Sequence, residues 1–163
     1  MQRRRGILEM LTSRIVIAIL SSIIFYISCW CPAFEVRHCT PPNGVVEGVL
    51  CLIMGFLGIL VGTEDPWNLV WLANPIYVLS MLLFVLLDSK KGQNIALILC
   101  LCSITMGLSF SLSSSLILDE SGSPSSVGKL YIGYYLWVLS FVVLLIGMLL
   151  YRKRVSYPSF EHE

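Results

Sequence analysis

The stretch VVEGVLCLIMGFLGILVG, residues 45–62, decides the fold. It is apolar, yet it carries Glu47 near its start and four glycines. If it crosses a bilayer, the chain has five spans and its termini lie on opposite faces. If it stays on one side, there are four spans and both termini share a face. Four other apolar stretches frame it, at 15–34, 68–87, 94–112 and 130–151. Each approaches the roughly 20 residues that a helix needs to cross about 30 Å of hydrocarbon.

Composition sets the class. Of 163 residues, 56% are hydrophobic and 13% charged, and the mean hydropathy is +0.82. A soluble domain runs nearer 45–50% apolar and about 25% charged. The sequence therefore reads as one membrane domain, residues 1–163, without a long soluble segment, and its first partner is the lipid bilayer. A net charge of +1 supplies no field to steer nucleic acid or anionic substrates.

Positive charge arbitrates between the two topologies, because lysine and arginine near span ends stay on the cytoplasmic side. With five spans, Arg3, Arg4, Arg5, Arg14 and Lys129 face Arg37, Lys90, Lys91, Arg152, Lys153 and Arg154, five against six. With 45–62 not crossing, only Arg37 and Lys129 lie outside, nine against two. The four-span arrangement also gathers Trp30, Trp67, Trp71 and Trp137 into one leaflet, as boundary-seeking aromatics require. The expected fold is an all-α integral membrane protein. It is a four-helix transmembrane bundle with an extra outer-side interfacial or re-entrant helix at 45–62 and both termini cytoplasmic. Five transmembrane helices are the alternative.

The N-terminus also has signal-peptide grammar: a basic MQRRRGILEMLTSR before an apolar run ending at Ser28-Cys29. Tyr26, three residues before the cysteine, is not the small aliphatic residue of a lipobox, and the apolar run continues to Phe34. An uncleaved first span is the reading adopted.

Along 44–62, Gly44, Gly48, Cys51, Gly55, Gly58 and Gly62 recur at spacings of 3 and 4. On a helix this is a stripe of small residues that lets another backbone approach. Glu47 is the only acidic residue within an apolar stretch. It is either a functional group at depth or a headgroup-facing carboxylate at the positive end of a helix dipole.

WLANP, residues 71–75, pairs a favoured N-cap, Asn74, with a favoured first helical residue, Pro75. A helix from Pro75 to Leu87 spans about 20 Å at 1.5 Å per residue, short of the hydrocarbon thickness. Either residues 67–73 extend it as a kinked piece or it begins partway down inside protein. GYYLW, residues 133–137, opens the last span, and Gly133, Ser140 and Gly147 recur every seven residues as a packing seam. Tyr134, Tyr135 and Trp137 form either an aromatic belt or one wall of an outward pocket. Trp71 stands across from them and Asn74 and Glu47 supply the polar groups. Such a pocket would suit a small, partly apolar ligand, a headgroup or a partner's side chain.

Ser103, Thr105, Ser109, Ser111 and Ser113 either bond backbone or line a wet path. The middle of the spans holds no acidic, basic or histidine residue, which argues against a proton-coupled transporter or a voltage sensor. Six cysteines include Cys29, Cys31 and Cys39, which with His38 make four soft ligands in a short segment. They could bind zinc or copper, or Cys39 could pair with Cys29 or Cys31 in an oxidising compartment. A thiol oxidase would carry Cys-x-x-Cys, whereas this chain has Cys-x-Cys and a second outer loop, 113–129, without cysteine. That loop, rich in serine and glycine, reads as a flexible surface loop. No catalytic triad, phosphate loop or paired-carboxylate site is legible, and no cofactor is implied.

The order CPAF, a glycine-rich helix, WLANP and GYYLW resembles a family of small bacterial inner-membrane proteins. The likeness covers most of residues 30–150, but the cysteine-rich segment and the lysine-rich turn are not among its features. It implies a small four-span, multi-pass protein of the bacterial inner membrane and supplies no activity. The expectation for function is a non-enzymatic accessory, interaction or immunity-like subunit that recognises a membrane-protein partner or small ligand at its outer face. A homo-oligomeric conduit for ions or small solutes, and a thiol-redox or metal-binding protein, are the alternatives.

Overall fold

A computed structural model describes residues 2–37, 44–61, 66–112, 115–117 and 124–156. Four of its helices are long and apolar enough to cross a membrane: Leu11–Cys29, Leu69–Leu86, Lys90–Leu112 and Ile132–Lys153. The stretch that opened the question supplies none of them. It forms a strand, Gly44–Glu47, and a helix, Gly48–Val61, whose 14 residues reach only about 21 Å.

The chain order is α1 (Gln2–Cys29), β1 (Pro32–Arg37), β2 (Gly44–Glu47), α2 (Gly48–Val61), a 3₁₀ segment (Pro66–Leu72), α3 (Ala73–Leu86), α4 (Lys90–Ser109), a short 3₁₀ turn (Phe110–Leu112), β3 (Ser115–Ile117), β4 (Pro124–Leu130) and α5 (Ile132–Ser156). Strands, α2 and the 3₁₀ segments all fall between α1 and α3 or between α4 and α5, so they collect at one end of the bundle, the sheet end. The opposite, turn end carries the α3–α4 connection.

That connection explains why α3 and α4 form a hairpin. Ser89 caps α4 by accepting from the Gly92 backbone N–H at 3.1 Å. The Gln93 amide then donates to the carbonyls of Phe84 at 3.1 Å and Leu87 at 2.5 Å, satisfying acceptors that the end of α3 leaves open.

α5 is the most enclosed span, with 44% of its apolar window buried against 17% for α1. It packs along α1 and α4, α3 pairs with α4, and α1 meets α3 sparsely. The seam expected on α5 is present. Gly147 stands against Ile17 of α1, so closely that a Cβ there would run into the isoleucine, and Ser140 is fully buried. The central core is Ala73, Tyr77 and Phe84 of α3, Ala96 and Cys100 of α4, and Phe141, Leu144, Met148 and Tyr151 of α5. Leucines and isoleucines cover the outside, including Ile19, Leu82, Ile98 and Leu150. An apolar exterior over a packed core is what a bilayer solvent asks for.

The sheet is the feature the sequence did not announce. Its order is β2-β1-β4-β3, all antiparallel, with Phe34 opposite Leu130 and Val36 opposite Val127. The all-α expectation holds for the bundle but omits this cap, and the supposed flexible loop 113–129 contributes β3 and most of β4. The strands persist because β1 and β4 are each laddered on both edges and Ala33, Phe34 and Val36 bury against Cys51, Phe110 and Val127. Tertiary pairing outweighs the weak strand propensity of a Ser- and Gly-rich segment.

Candidate functional site

Two of the six residues expected to form an outward pocket are bonded to each other. The Trp137 indole N–H donates to the Asn74 side-chain oxygen at 2.8 Å. Asn74 therefore does not cap a helix beginning at Pro75. The 3₁₀ segment Pro66–Leu72 runs directly into α3, whose N-terminus has no side-chain cap, so the amide is released for α5. Of the two alternatives raised for residues 67–73, the structure shows the added piece, as the 3₁₀ segment Pro66–Leu72.

Tyr134 joins the same assembly. It is buried and its hydroxyl donates to the Gly107 carbonyl of α4 at 3.1 Å. From the sheet inward, rings follow one another without a break. Phe34 meets Phe110 at 5.3 Å between centroids, Phe110 meets Tyr134 at 5.9 Å, and Tyr134 meets Trp137 at 6.2 Å. Trp137 meets Phe141 at 5.1 Å, Phe141 meets Tyr77 at 4.7 Å, and Tyr77 stacks on Phe25 at 5.5 Å. The aromatics of GYYLW are thus the middle of a column joining cap to bundle, each pair within the range in which ring quadrupoles attract.

Trp71 belongs to the α2 contact instead. Its indole lies on Gly55, where any Cβ would collide with the ring, packs near Phe56 at 5.5 Å, and donates to the Leu52 carbonyl at 2.7 Å. Of the glycine stripe, Gly55 is the member that lets this indole reach the α2 backbone. Tyr135 touches Tyr134 at 5.4 Å yet is 57% exposed. Glu47 ends β2, opposite Pro32, and is exposed immediately before the N-terminus of α2. Its carboxylate complements the helix dipole there. Of the six, Asn74, Tyr134 and Trp137 converge. Tyr135 fringes them, Trp71 holds α2, and Glu47 sits on the sheet edge.

The hydroxyls of span three are engaged locally. Ser103, Thr105, Ser109 and Ser111 donate to the carbonyls of Leu99, Cys102, Met106 and Leu108. Ser113 lies outside the described residues. Deeper in the bundle, the Ser21 hydroxyl shares a hydrogen bond with the Tyr77 hydroxyl at 2.6 Å and donates to the Ser140 carbonyl at 2.7 Å.

His38 and Cys39 also lie outside the described residues. Cys29, Cys31 and Cys51 are half-buried free thiols at the sheet end. Among the described residues no group of three histidine, cysteine or acidic side chains comes together to hold a metal.

One feature escaped sequence reasoning, which used Arg14 only as a topological charge. Arg14 is 4% exposed at the turn end. Its Nη1 lies 2.7 Å from the Asp88 carboxylate and 3.3 Å from the Leu87 carbonyl. Its Nη2 donates to the Tyr151 hydroxyl at 2.7 Å, with the guanidinium 4.5 Å from that ring's centroid. One side chain of α1 thereby ties the α3–α4 turn to α5. The signal available was an arginine one residue before an apolar run, spaced to reach the turn after span two.

The sparse α1–α3 contact leaves an apolar groove of about 450 Å³ on the bundle exterior, lined by Ile15, Ser22 and Tyr26 on one side and Met81, Leu82 and Leu86 on the other. No family model, curated protein or solved structure matches this chain.

Proposed function

We propose that this chain is a small multi-pass protein of a bacterial inner membrane, with both termini cytoplasmic. It acts without catalysis, as an accessory or immunity-like subunit that recognises a partner with the cap at its sheet end. The observation that carries this reading is the edge of the cap. β2 is the outermost strand on its side of the sheet, and Gly44, Val45 and Glu47 along it are exposed. An exposed edge offers unpaired backbone groups and alternate side chains to an incoming strand. Beside it, Trp30 and Tyr26 stand 64% and 63% exposed in an edge-to-face pair at the sheet end of α1.

The sidedness is supported by Lys90, Lys91, Arg152 and Lys153, which are exposed at the turn end together with the buried Arg14. The resemblance carried by WLANP and GYYLW favours the bacterial placement. The conduit reading draws less support, because the span-three hydroxyls are spent on their own backbone.

A photo-reactive amino acid at Val45, compared with one at the lipid-facing Leu150, tests the proposal in native membranes. A discrete protein adduct from Val45 and none from Leu150 is the expected result. Lipid adducts alone at Val45, or partner-independent ion flux from the purified protein in liposomes, would overturn it.

A further inference from the structure

The start of α2 is pressed against the end of α1. Gly48, the first residue of α2, donates its backbone N–H to the Cys31 carbonyl at 3.1 Å. A Cβ at Gly48 would strike the Ser28 carbonyl oxygen and lie 2.9 Å from the Cα of Cys29. Glycine is required here by the approach of one backbone to another. Cys29 is the last residue of α1 and Cys51 lies in the first turn of α2, three positions after Gly48. Positions three apart share a helix face, so the face that carries Gly48 onto Cys29 also carries Cys51. Cys51 therefore lies about 4.5 Å along the helix axis from the Gly48–Cys29 contact. Cys51 is half-buried against the cap cluster of Ala33, Phe34 and Val36, so its thiol is held at this junction rather than turned to lipid. Burial pushes the Cys51 thiol up to about 12, and Cys29 adds a smaller rise, which places the two thiols within each other's electrostatic reach.

We propose that Cys29 and Cys51 are a cross-linking pair, forming a disulfide that staples α2 and the β1–β2 hairpin to the sheet end of α1. The pair differs from the Cys39 pairings that sequence spacing raises. Its formation in cells rests on the outer placement proposed above, whereas the pairing itself does not. The remaining described thiols are otherwise disposed. Cys100 donates to the Phe141 carbonyl inside the bundle and Cys102 is exposed on α4, while the Cys31 thiol, half-buried two residues after Cys29, is the competitor that the test below separates.

The oxidant is a disulfide-bearing carrier of the outer compartment. Its disulfide exchanges with the Cys29 thiolate to give a mixed disulfide and one carrier thiol. The Cys51 thiolate then attacks the Cys29 sulfur, forming the protein disulfide and expelling the second carrier thiol. Two protein thiols are oxidised and one carrier disulfide is reduced. Only the Cys51 thiolate attacks, so the burial of this thiol slows the second step.

The test uses the full chain purified in detergent micelles and treated with diamide, which takes up the two hydrogens as its hydrazine. Free thiols are then blocked with N-ethylmaleimide and the peptides mapped by mass spectrometry. The expected product joins the Cys29 and Cys51 peptides. It is lost in Cys29→Ser and in Cys51→Ser and retained in Cys31→Ser. The wild-type map is decisive even if a serine variant folds poorly. Full alkylation of both thiols after diamide, or a map joining either of them to Cys31 or Cys39, would overturn the pairing. Trapping thiols in intact cells before lysis addresses placement separately. A disulfide there supports the outer side. A pair that oxidises in micelles but is wholly reduced in cells overturns the outer placement and the cellular cross-link, leaving the geometry standing.

Discussion

The indole N–H of Trp137 on α5 is bonded to the side-chain oxygen of Asn74 on α3, 63 residues away, at 2.8 Å. This bond sits inside the ring column that runs from Phe34 in the sheet to Phe25 in α1, so it fastens α3 to that column where the cap begins.

Removing either partner leaves the other a half-buried polar group without its bond, which costs about 1–3 kcal/mol. Asn74→Ala and Trp137→Phe should each lower thermal stability in micelles. The double variant should lose less than the sum of the two, by about 0.5–1 kcal/mol, because the bond can be broken only once. Strict additivity would mean that the two side chains act independently.

Arg14 and Asp88 should behave unequally although they form one ion pair. Asp88 is 88% exposed, so its half of the pair is screened by water and salt. Asp88→Asn should cost less than about 1 kcal/mol. Arg14→Ala removes the contacts to Leu87 and Tyr151 as well, orphaning a buried tyrosine hydroxyl and a packing surface. It should cost about 3 kcal/mol or more. Tyr151→Phe should fall between them. Urea or thermal unfolding of the three variants ranks them, and an Asp88 effect as large as the Arg14 effect would refute this account.

Gly147 gives a test of the α1–α5 seam. A Cβ at this position would run into the Ile17 side chain, with Cγ1 and Cβ at 3.1 and 3.2 Å. Overpacking of this kind costs about 1–3 kcal/mol. Gly147→Ala should destabilise the fold, and adding Ile17→Ala should recover much of the loss by vacating the same space. If the second substitution deepens the loss, the contact is not the cause.

The seam at Gly147 was legible because Gly133, Ser140 and Gly147 repeat with the helix period, and period is what a sequence shows directly. The four long helices were legible as apolar stretches of membrane-crossing length, and 45–62 was set apart from them by the distribution of charge and tryptophan at the span ends rather than by its own length. The sheet was not. Val36 meets Val127 across most of the chain, and β4, PSSVGKL, has the composition of a loop. Nothing local encodes a ladder whose stability comes from its partners. The site was legible in part. Trp137, Tyr134 and Asn74 stood out as residues that need neighbours, but sequence could not say that they satisfy one another. Arg14 was hidden because in the sequence it is one more basic residue following Arg3, Arg4 and Arg5, and only the turn that places Asp88 and Leu87 against it reveals its role.

Cys51 offers a prediction in pH. Its thiol is raised from 9.0 to about 12, first by burial and secondarily by Cys29. At neutral pH such a thiol holds only about a thousandth of the thiolate that a solvated cysteine would, because the ionised fraction falls tenfold for each step of one in pKa. In the folded protein with its thiols reduced, maleimide labelling of Cys51 should therefore be slow near pH 7 and should accelerate steadily toward pH 12. The sign for stability follows from the same values. The folded thiol holds its proton more tightly than the unfolded one, so folding favours the protonated form. That contribution is fully present below pH 9 and is lost as pH rises from 9.0 toward about 12. Cys51→Ala should abolish this loss, flattening the stability profile in the alkaline range while leaving it unchanged at neutral pH apart from a constant packing cost. Unfolding midpoints measured under reducing conditions between pH 7 and pH 11 for both chains decide the point. Fast labelling of Cys51 at pH 7, or parallel alkaline slopes in the two chains, would show that the thiol is not held in the cap junction.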